Sequence, residues 1–229
     1  MCAQTLLARA IATAAGCVYY AASSGDVLDV YQGNSEKKLR ELFQGARGGV
    51  LFFDELDSMA SSRQSDETQS VRSIKAELLT QITSMLEDQG SVLVGATNCP
   101  WDLDPAVRRR FSKRVYIPLP DRDDRRALLR HELDRPGAPA HVCSEADLDA
   151  IADVTPFYSG SDMAELLKAA HSLSRLDVAR FDAEPGTLIK PPLTVEHLRR
   201  AMATQKASVG EKELTAFTEW TKLYGMEGK

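Results

Sequence analysis

Two acidic residues follow an apolar run of the type that forms a buried strand. The segment VLFFDELDSM, residues 50–59, places four apolar residues before Asp54 and Glu55. In open α/β sheets the carboxyl ends of the strands line the ligand crevice, so both carboxylates are expected there. Hydrolysis of a phosphoanhydride needs one carboxylate near Mg²⁺ and another that orients and deprotonates the attacking water. The alternative interpretation is that both residues only end the strand in a solvated turn.

An asparagine after the next apolar run and three arginines further along the chain could complete such a site. The next apolar run ends in GATN, so Asn98 is expected at the same edge of the sheet, where its amide could hold the attacking water. Asn98 could instead cap a turn before Pro100. Arg108, Arg109 and Arg110 come after LDPAV, and guanidinium groups there could complete a phosphate site of a neighbouring subunit. A solvated basic cluster is the usual alternative.

The elements that must position these groups alternate between helix and strand over the first half of the chain. Apolar residues at helical spacing predict helices over 5–15, 35–46 and 71–87. Apolar runs between and after them predict four strands, in CVYYAAS, VLFF, SVLVGATN and RVYIPL. This alternation indicates a parallel sheet covered on both faces. The first helix should pack on the sheet through its apolar residues Leu6, Leu7, Ala10 and Ile11.

The second half of the chain predicts helices only. Their apolar patterns cover residues 123–133, 144–154, 161–179, 194–204 and 210–224. The segment IPLP between the two halves predicts a hinge, because each proline fixes its own φ and restricts the residue before it. We therefore predict a large α/β domain over 1–120 and a small helical domain over 121–229.

Composition narrows the classes of protein that the chain can belong to. With 229 residues, 43% of them hydrophobic, the chain can bury a sizeable core. The net charge of -5 gives no general basic field, so we expect no nucleic-acid partner. Four cysteines without paired spacing favour reduced thiols over disulfides or zinc. The sequence shows no apolar run of membrane-spanning length and no signal-peptide pattern, so we expect a cytoplasmic protein.

The order of these motifs resembles that of the AAA+ ATPases. FFDELD resembles the Walker B motif, GATN the first sensor and LDPAVRRRF the second region of homology. The stretch GATNCPWDLDPAVRRRFSKRVYIPLP, with YSGSD at 158–162, is similar to the meiotic clade, which comprises the endosomal-sorting vacuolar protein sorting-associated protein four, katanin, spastin and fidgetin. The resemblance implies an α/β fold, a parallel-sheet P-loop-type large domain followed by a small helical domain, and it implies ATP and Mg²⁺ as ligands.

The resemblance also implies roles for the residues of the predicted sheet edge. Asp54 becomes the Mg²⁺-linked acid, Glu55 the catalytic base and Asn98 the water-positioning sensor. Arg109 and Arg110 become the fingers that are supplied to a neighbouring subunit.

Three more residues take implied roles outside the sheet edge. Gly160 and Ser161 fall where the small domain of the family packs against the adenine. Tyr31, in DVYQG, matches the aromatic residue of the first pore loop, which grips translocated polypeptide. Val30 departs from the pattern, because close relatives usually have lysine there. A lone tyrosine is also typical of a core or a strand edge.

The phosphate-binding loop departs furthest from the family pattern GxxxxGK[ST]. In that loop glycines expose backbone N–H groups to the phosphates, lysine neutralises them and the hydroxyl binds Mg²⁺. Thr5 matches the hydroxyl residue, whereas Gln4 replaces the lysine and Ala3 the glycine before it. We expect weak or lost binding of ATP and Mg²⁺. The strand that precedes this loop in the family is absent, so we also expect an N-terminally truncated sequence whose sheet lacks its central first strand.

Three functional hypotheses remain open. The first is an ATP-driven homo-hexamer that pulls polypeptide through its pore, most like the endosomal-sorting type that disassembles ESCRT filaments and reaches endosomal membranes through its partners. FTEWTKLYGMEGK resembles the closing helix of that type. Its β-rich insertion should lie near 181–192, where only a short loop is predicted, so katanin-type microtubule severing is the alternative. Gln4 motivates a third hypothesis, a catalytically inactive assembly or regulatory subunit.

Overall fold

The computed structural model describes residues 3–27, 34–61, 69–180 and 191–226. Within these ranges the chain forms three strands and eleven helices. It divides into two compact units, one formed by Met1–Tyr116 with Phe217–Lys229 and the other by Ile117–Ala216. The boundary between them falls beside the proline-bracketed IPLP segment. The end of the C-terminal helix belongs to the first unit, whereas the sequence assigned the whole helix to the helical domain.

A three-stranded parallel sheet forms the centre of the first unit. Its strands are β1 (Tyr19–Ser23), β2 (Val50–Asp54) and β3 (Val92–Gly95), in the order β1-β2-β3. The helices of this part of the chain are α1 (Ala3–Ala15), α2 (Ser24–Val27), α3 (Asn34–Gly45), α4 (Leu56–Ala60), α5 (Gln69–Glu87) and α6 (Pro105–Arg108). These elements confirm the predicted parallel α/β fold and three of its four predicted strands.

Helices lie on both faces of the sheet because successive side chains of a strand point to opposite faces. Phe52 packs with Ala8 of α1 and with Ala96 on one face. Leu51 and Phe53 belong to the core on the other face, which α3, α4 and α5 complete. The middle strand β2 is therefore buried on both sides, and this burial fixes the position of its carboxyl end.

The face of α1 that packs on the sheet differs from the prediction. Its buried residues are Ala8 and Ala12. Leu6, Leu7 and Ile11 are 53%, 44% and 36% exposed, so the prediction that they pack on the sheet is wrong. The two alanines are one turn apart and let the helix approach β2 closely, which leaves the larger residues on a flank that no described element covers.

The predicted strand RVYIPL is also wrong, because residues 114–119 have irregular backbone. A strand needs a neighbour that pairs its backbone groups. No strand lies beside the outer edge of β3 within the described ranges, and Val115 is 66% exposed. The carbonyl of Arg114 instead accepts a hydrogen bond from the N–H of Met226 at 2.8 Å.

The second unit is helical, as predicted. It contains α7 (Arg122–Asp134), α8 (Glu145–Asp153), α9 (Gly160–Arg180), α10 (Val195–Met202) and the start of α11 (Glu211–Tyr224). Capping boxes fix the starts of α7, α8 and α10. Its core is formed by fully buried residues that include Leu129, Leu166 and Leu198. None of the described helices is both long and apolar enough to cross a membrane.

Candidate active site

The carboxyl end of β2 presents two carboxylates. Asp54 is half-buried, and its Oδ1 accepts a hydrogen bond from the N–H of Glu55 at 3.0 Å. Its Oδ2 has no hydrogen-bond partner in the part of the chain that the structure describes. The side chain of Glu55 is exposed and makes no capping bond to the helix that follows. Both residues thus keep carboxylate oxygens available at the edge of the sheet.

The backbone of Glu55 is strained. Its φ of 51° and ψ of 47° are left-handed, a conformation that costs a residue other than glycine roughly 1–2 kcal/mol. The carbonyl of Glu55 accepts hydrogen bonds from the Oγ and the N–H of Ser58, at 2.6 and 3.1 Å. The next N–H, that of Leu56, donates to the carbonyl of Ala96. Strain of this kind concentrates at functional sites, where surrounding contacts maintain it.

A polar bridge joins the start of α4 to the residues after β3. The hydroxyl of Thr97 donates to Asp57 Oδ1 at 2.5 Å and accepts from the N–H of Cys99 at 3.0 Å. Asn98 lies between these anchored residues, is exposed and makes no side-chain hydrogen bond with the described residues. Thr97 therefore stabilises the turn before Pro100, and the amide of Asn98 stays available at the same sheet edge as Asp54.

Cys99 does not add a nucleophile to this edge. Burial raises the pKa of its thiol, and the negative charges of Asp57 and Asp102 raise it further. The thiolate is the reactive form of cysteine, so these surroundings keep Cys99 unreactive.

The first turn of α1 contains Gln4 and Thr5, which are both half-buried. The helix leads into β1 through a short turn, so it runs against the direction of the parallel strands and begins at their carboxyl ends. Ala8, one turn after Gln4, belongs to the same buried cluster as Phe52 of β2 and Ala96, which directly follows β3. Topology therefore brings Gln4 and Thr5 to the edge of the sheet that carries Asp54.

The two candidate finger residues have different surroundings. Arg110 donates from Nε to the hydroxyl of Thr83 at 3.1 Å and from Nη1 to the carbonyl of Ala106 at 2.8 Å. Arg109 is exposed, and its side chain makes no hydrogen bond or ion pair with the described residues. Only Arg109 is therefore free to reach a group outside this chain.

The remaining candidates do not belong to the described part of the first unit. Gly160 and Ser161 are exposed residues in the first turn of α9, in the second unit. Tyr31 lies outside the described residues.

Asp162 fixes the turn that carries Gly160 and Ser161. Its Oδ2 accepts hydrogen bonds from the N–H and the hydroxyl of Ser159, both at 2.8 Å. The same oxygen accepts from the N–H and the hydroxyl of Ser208, at 3.2 and 2.9 Å. Burial raises the pKa of Asp162, but the hydrogen bonds from both serines outweigh burial and hold this pKa below its ordinary value.

We expect Asp162→Ala to lower the free energy of unfolding by about 1–3 kcal/mol at pH 7, because the caps of α9 and the Ser208 turn are lost. A carboxylate whose folded pKa is lowered stabilises the fold above its unfolded pKa and stops doing so as the pH falls through the folded value. The difference from the parent should therefore shrink below about pH 4. Urea unfolding followed by circular dichroism at pH 7 and pH 3 measures it.

The control for this prediction is Glu165→Ala, on the same helix. Among the described residues Glu165 pairs only with Lys168, at an exposed position, so its loss should change stability by less than about 0.5 kcal/mol. Equal losses in the two variants, or an Asp162→Ala loss that persists unchanged at pH 3, would contradict the assigned role of Asp162.

The sheet edge fits Mg²⁺ better than it fits phosphate. Asp54 offers a free carboxylate oxygen and Thr5 a hydroxyl, which are ligands that Mg²⁺ accepts. No group of three or more metal-binding side chains occurs within the described ranges, so a Mg²⁺ ion here would take other ligands from nucleotide and water. The first turn of α1 contains no basic residue. Arg9, further along, lies with its guanidinium carbon 5.4 Å from the centre of the Tyr19 ring.

Sequence reasoning missed the bridge between Thr97 and Asp57. Both residues stand inside motifs that the sequence had singled out, GATN and DELD, but their contact joins segments that are forty positions apart. The usable signal is that each is a small polar residue close to a candidate site residue after a strand end: Thr97 directly precedes Asn98, and Asp57 follows Glu55 by two positions. Such residues can hydrogen-bond and fix the local backbone.

A parallel sheet with an acidic pair at the end of a buried strand, and an available amide beyond the next strand, is typical of the α/β class of nucleoside-triphosphate-binding domains. The family profile described as "ATPase family associated with various cellular activities (AAA)" matches residues 2–119. A second profile, "Vps4 C terminal oligomerisation domain", matches residues 169–225. The chain belongs to the AAA family of ATPases.

Individual relatives agree with this assignment. Vacuolar protein sorting-associated protein 4 of Dictyostelium discoideum is 32% identical, over 98% of this chain and 59% of its own length. The ATPase-like fidgetin of Schizosaccharomyces pombe is 35% identical, over 98% of this chain and 36% of its own length. The crystal structure of the FIGL-1 AAA domain in complex with ADP has a TM-score of 0.83 at 30% identity and covers 98% of this chain and 75% of that chain. These similarities fit the meiotic clade. The chain spans only part of the length of the curated relatives that it matches.

Proposed function

We propose that this chain is the motor module of an ATP-driven protein-remodelling machine. The edge of the sheet supports this proposal most strongly, because it combines a carboxylate suited to Mg²⁺ (Asp54), a carboxylate suited to deprotonate water (Glu55) and an amide suited to position that water (Asn98). The strained backbone of Glu55 adds support, since a residue that only ended a strand would not need it. Membership of the AAA family supports ATP hydrolysis as the reaction.

The active form that we propose is a homo-hexamer in which each site receives an arginine from the next subunit. The match to a C-terminal oligomerisation domain supports self-assembly. Arg109 is the finger that the geometry favours, because Arg110 is already held by Thr83 and Ala106. Tyr31 would grip polypeptide in the central pore.

The proposed substrates are ESCRT filament subunits, and the proposed location is the cytoplasm with recruitment to endosomal membranes through partners. Similarity to vacuolar protein sorting-associated protein 4 and to its C-terminal domain supports this choice. Katanin-type severing of microtubules is the second candidate. The observation that favours it is the length of the sequence between α9 and α10, positions 181–194, which is short for a β-rich insertion. Release of subunits from preformed ESCRT filaments, or shortening of stabilised microtubules, distinguishes the two.

We further propose that nucleotide binding is weak in this chain. The first turn of α1 offers phosphates an uncharged amide at Gln4 where the family has a cation, and Ala3 carries a Cβ where the family has glycine. The alternative is that the chain is not an enzyme but a catalytically inactive subunit that serves assembly or regulation. The uncharged Gln4 motivates this alternative as well.

A Gln4→Lys variant should bind a fluorescent ATP analogue at least about tenfold more tightly than the parent chain in the presence of Mg²⁺, because a hydrogen bond to a charged group contributes about 1.5–3 kcal/mol. The measurement is a titration followed by fluorescence anisotropy. Gln4→Met is the matched control, since it keeps the length of the side chain without the charge and should bring no gain. Tight Mg²⁺-dependent binding by the parent would contradict the proposed weakness. Absence of binding by both chains would contradict the motor and favour the regulatory subunit.

A further inference from the structure

The end of the last helix contacts the segment that carries the candidate finger. We call residues 108–110 the arginine segment. From Phe217 onwards α11 belongs to the first unit, together with the arginine segment. The contacts between them therefore lie within one compact unit of the structure.

Three residues close a ring of contacts at this point. The guanidinium carbon of Arg108 lies 4.1 Å from the centre of the Tyr224 ring. Arg114 donates from Nη1 to the carbonyl of Tyr224 at 2.8 Å and from Nη2 to the carbonyl of Arg108 at 3.3 Å. The N–H of Met226 donates to the carbonyl of Arg114 at 2.8 Å.

Within this ring Arg114 supplies hydrogen-bond donors to the last carbonyl groups of two helices. The last carbonyl groups of a helix have no partner inside it. Arg108 is the last residue of α6, and Tyr224 is the last residue of α11. The single guanidinium of Arg114 therefore donates to a terminal carbonyl of each helix, although the carbonyl of Arg108 also accepts from the N–H of Phe111. Its positive charge is favourable at the carboxyl end of α11.

Aromatic packing anchors the same stretch of α11 further upstream. The Phe217 ring lies 5.0 Å from the Trp101 ring and 5.7 Å from the Tyr116 ring, measured between centres. Trp220 packs on Tyr224 at 5.4 Å. Aromatic pairs at these distances hold their elements together beyond simple burial of area. Tyr224 is thus presented to Arg108 by a helix that is itself fixed in the unit.

We propose that Tyr224 and Arg114 are positioning residues that hold the end of α6, so that Arg109 projects from a fixed point. Arg109 follows Arg108 directly, and its side chain makes no hydrogen bond or ion pair with the described residues, so its direction depends on the backbone at the end of α6. The action of Arg109 on a neighbouring subunit rests on the proposed function. The stabilisation of the end of α6 by Tyr224 and Arg114 is independent of that function.

Hydrogen exchange of the full chain, followed by mass spectrometry, tests this hold. The reporters are amides at the end of α6, which donate to backbone carbonyls: those of Arg108, Arg109, Arg110 and Phe111. Tyr224→Ala and Arg114→Met should each accelerate exchange of these amides by about five- to tenfold, because the contacts that oppose local opening are lost. Tyr224→Phe keeps the ring and should not. Leu223→Ala is the matched control, because Leu223 is 75% exposed on the same helix.

Unchanged exchange in Tyr224→Ala would overturn the proposal. An equal acceleration of hydrogen exchange at the amides of β2 would also overturn the proposal, because Tyr224 would then stabilise the whole unit and not the end of α6 in particular. In an ATPase assay in the Gln4→Lys background, Tyr224→Ala should lower kcat with KM unchanged and should cause no further loss when Arg109 is already alanine. Additive losses would overturn action through Arg109. If no variant hydrolyses ATP, the proposed function fails, whereas the exchange result still decides whether the helix end is held.

Discussion

A Glu55→Gln variant, made in the Gln4→Lys background so that nucleotide is bound, should hydrolyse ATP at least about 100-fold more slowly than its parent while still binding Mg²⁺-ATP. Glutamine has nearly the same shape as glutamate, but its amide cannot take a proton from the attacking water. Asp54 is unchanged in this variant, so the metal side of the site should remain intact. Steady-state phosphate release and nucleotide titration measure the two properties separately.

Glu87→Gln provides the control for this prediction, because Glu87 is an exposed glutamate at the end of α5. It should leave turnover unchanged. Undiminished turnover in Glu55→Gln would contradict the assignment of the catalytic base. Loss of nucleotide binding together with turnover would indicate a role in binding instead of proton transfer.

Replacement of Arg109 by alanine, in the same background, should reduce turnover by about 1,000-fold or more if the arginine completes the site of a neighbouring subunit. Mixing these subunits with Glu55→Gln subunits should then restore activity. A site works when its own Glu55 is intact and the adjacent subunit supplies an intact Arg109, which holds for roughly a quarter of the interfaces in an equal random mixture. Phosphate release across a series of mixing ratios measures this recovery.

Lys113→Ala is the matched control for the loss of a positive charge, because Lys113 is exposed and close to Arg109 in the sequence. It should leave turnover unchanged. Silence of every mixture, while each parent assembles normally, would count against action in trans.

The position of the acidic pair at a strand end could be predicted from the sequence, because a buried parallel strand has a distinctive apolar pattern. VLFF is apolar on both faces, and only a middle strand between two helical layers needs that. The end of such a strand must then carry the first polar residues, Asp54 and Glu55. The left-handed backbone of Glu55 could not be predicted, since it depends on hydrogen bonds to Ser58 and Ala96 that exist only in the folded unit.

Other features escaped prediction because composition does not reveal which neighbour is present. RVYIPL has the residues of a strand, but no strand lies beside it within the described ranges, and Arg114 pairs with Met226 instead. Leu6 and Leu7 have the spacing of a packing face, yet Ala8 and Ala12 take that role because small residues allow the closer approach. Arg109 and Arg110 look alike in sequence, and only the contacts with Thr83 and Ala106 separate them.

The left-handed conformation of Glu55 means that the fold and the proposed reaction favour different residues at one position. Glycine adopts such a backbone without steric cost, so glycine is the residue that stability alone would select there. A glycine has no carboxylate to offer to water. At position 55, selection for conformational stability would therefore favour glycine, whereas selection for the proposed chemistry would favour glutamate.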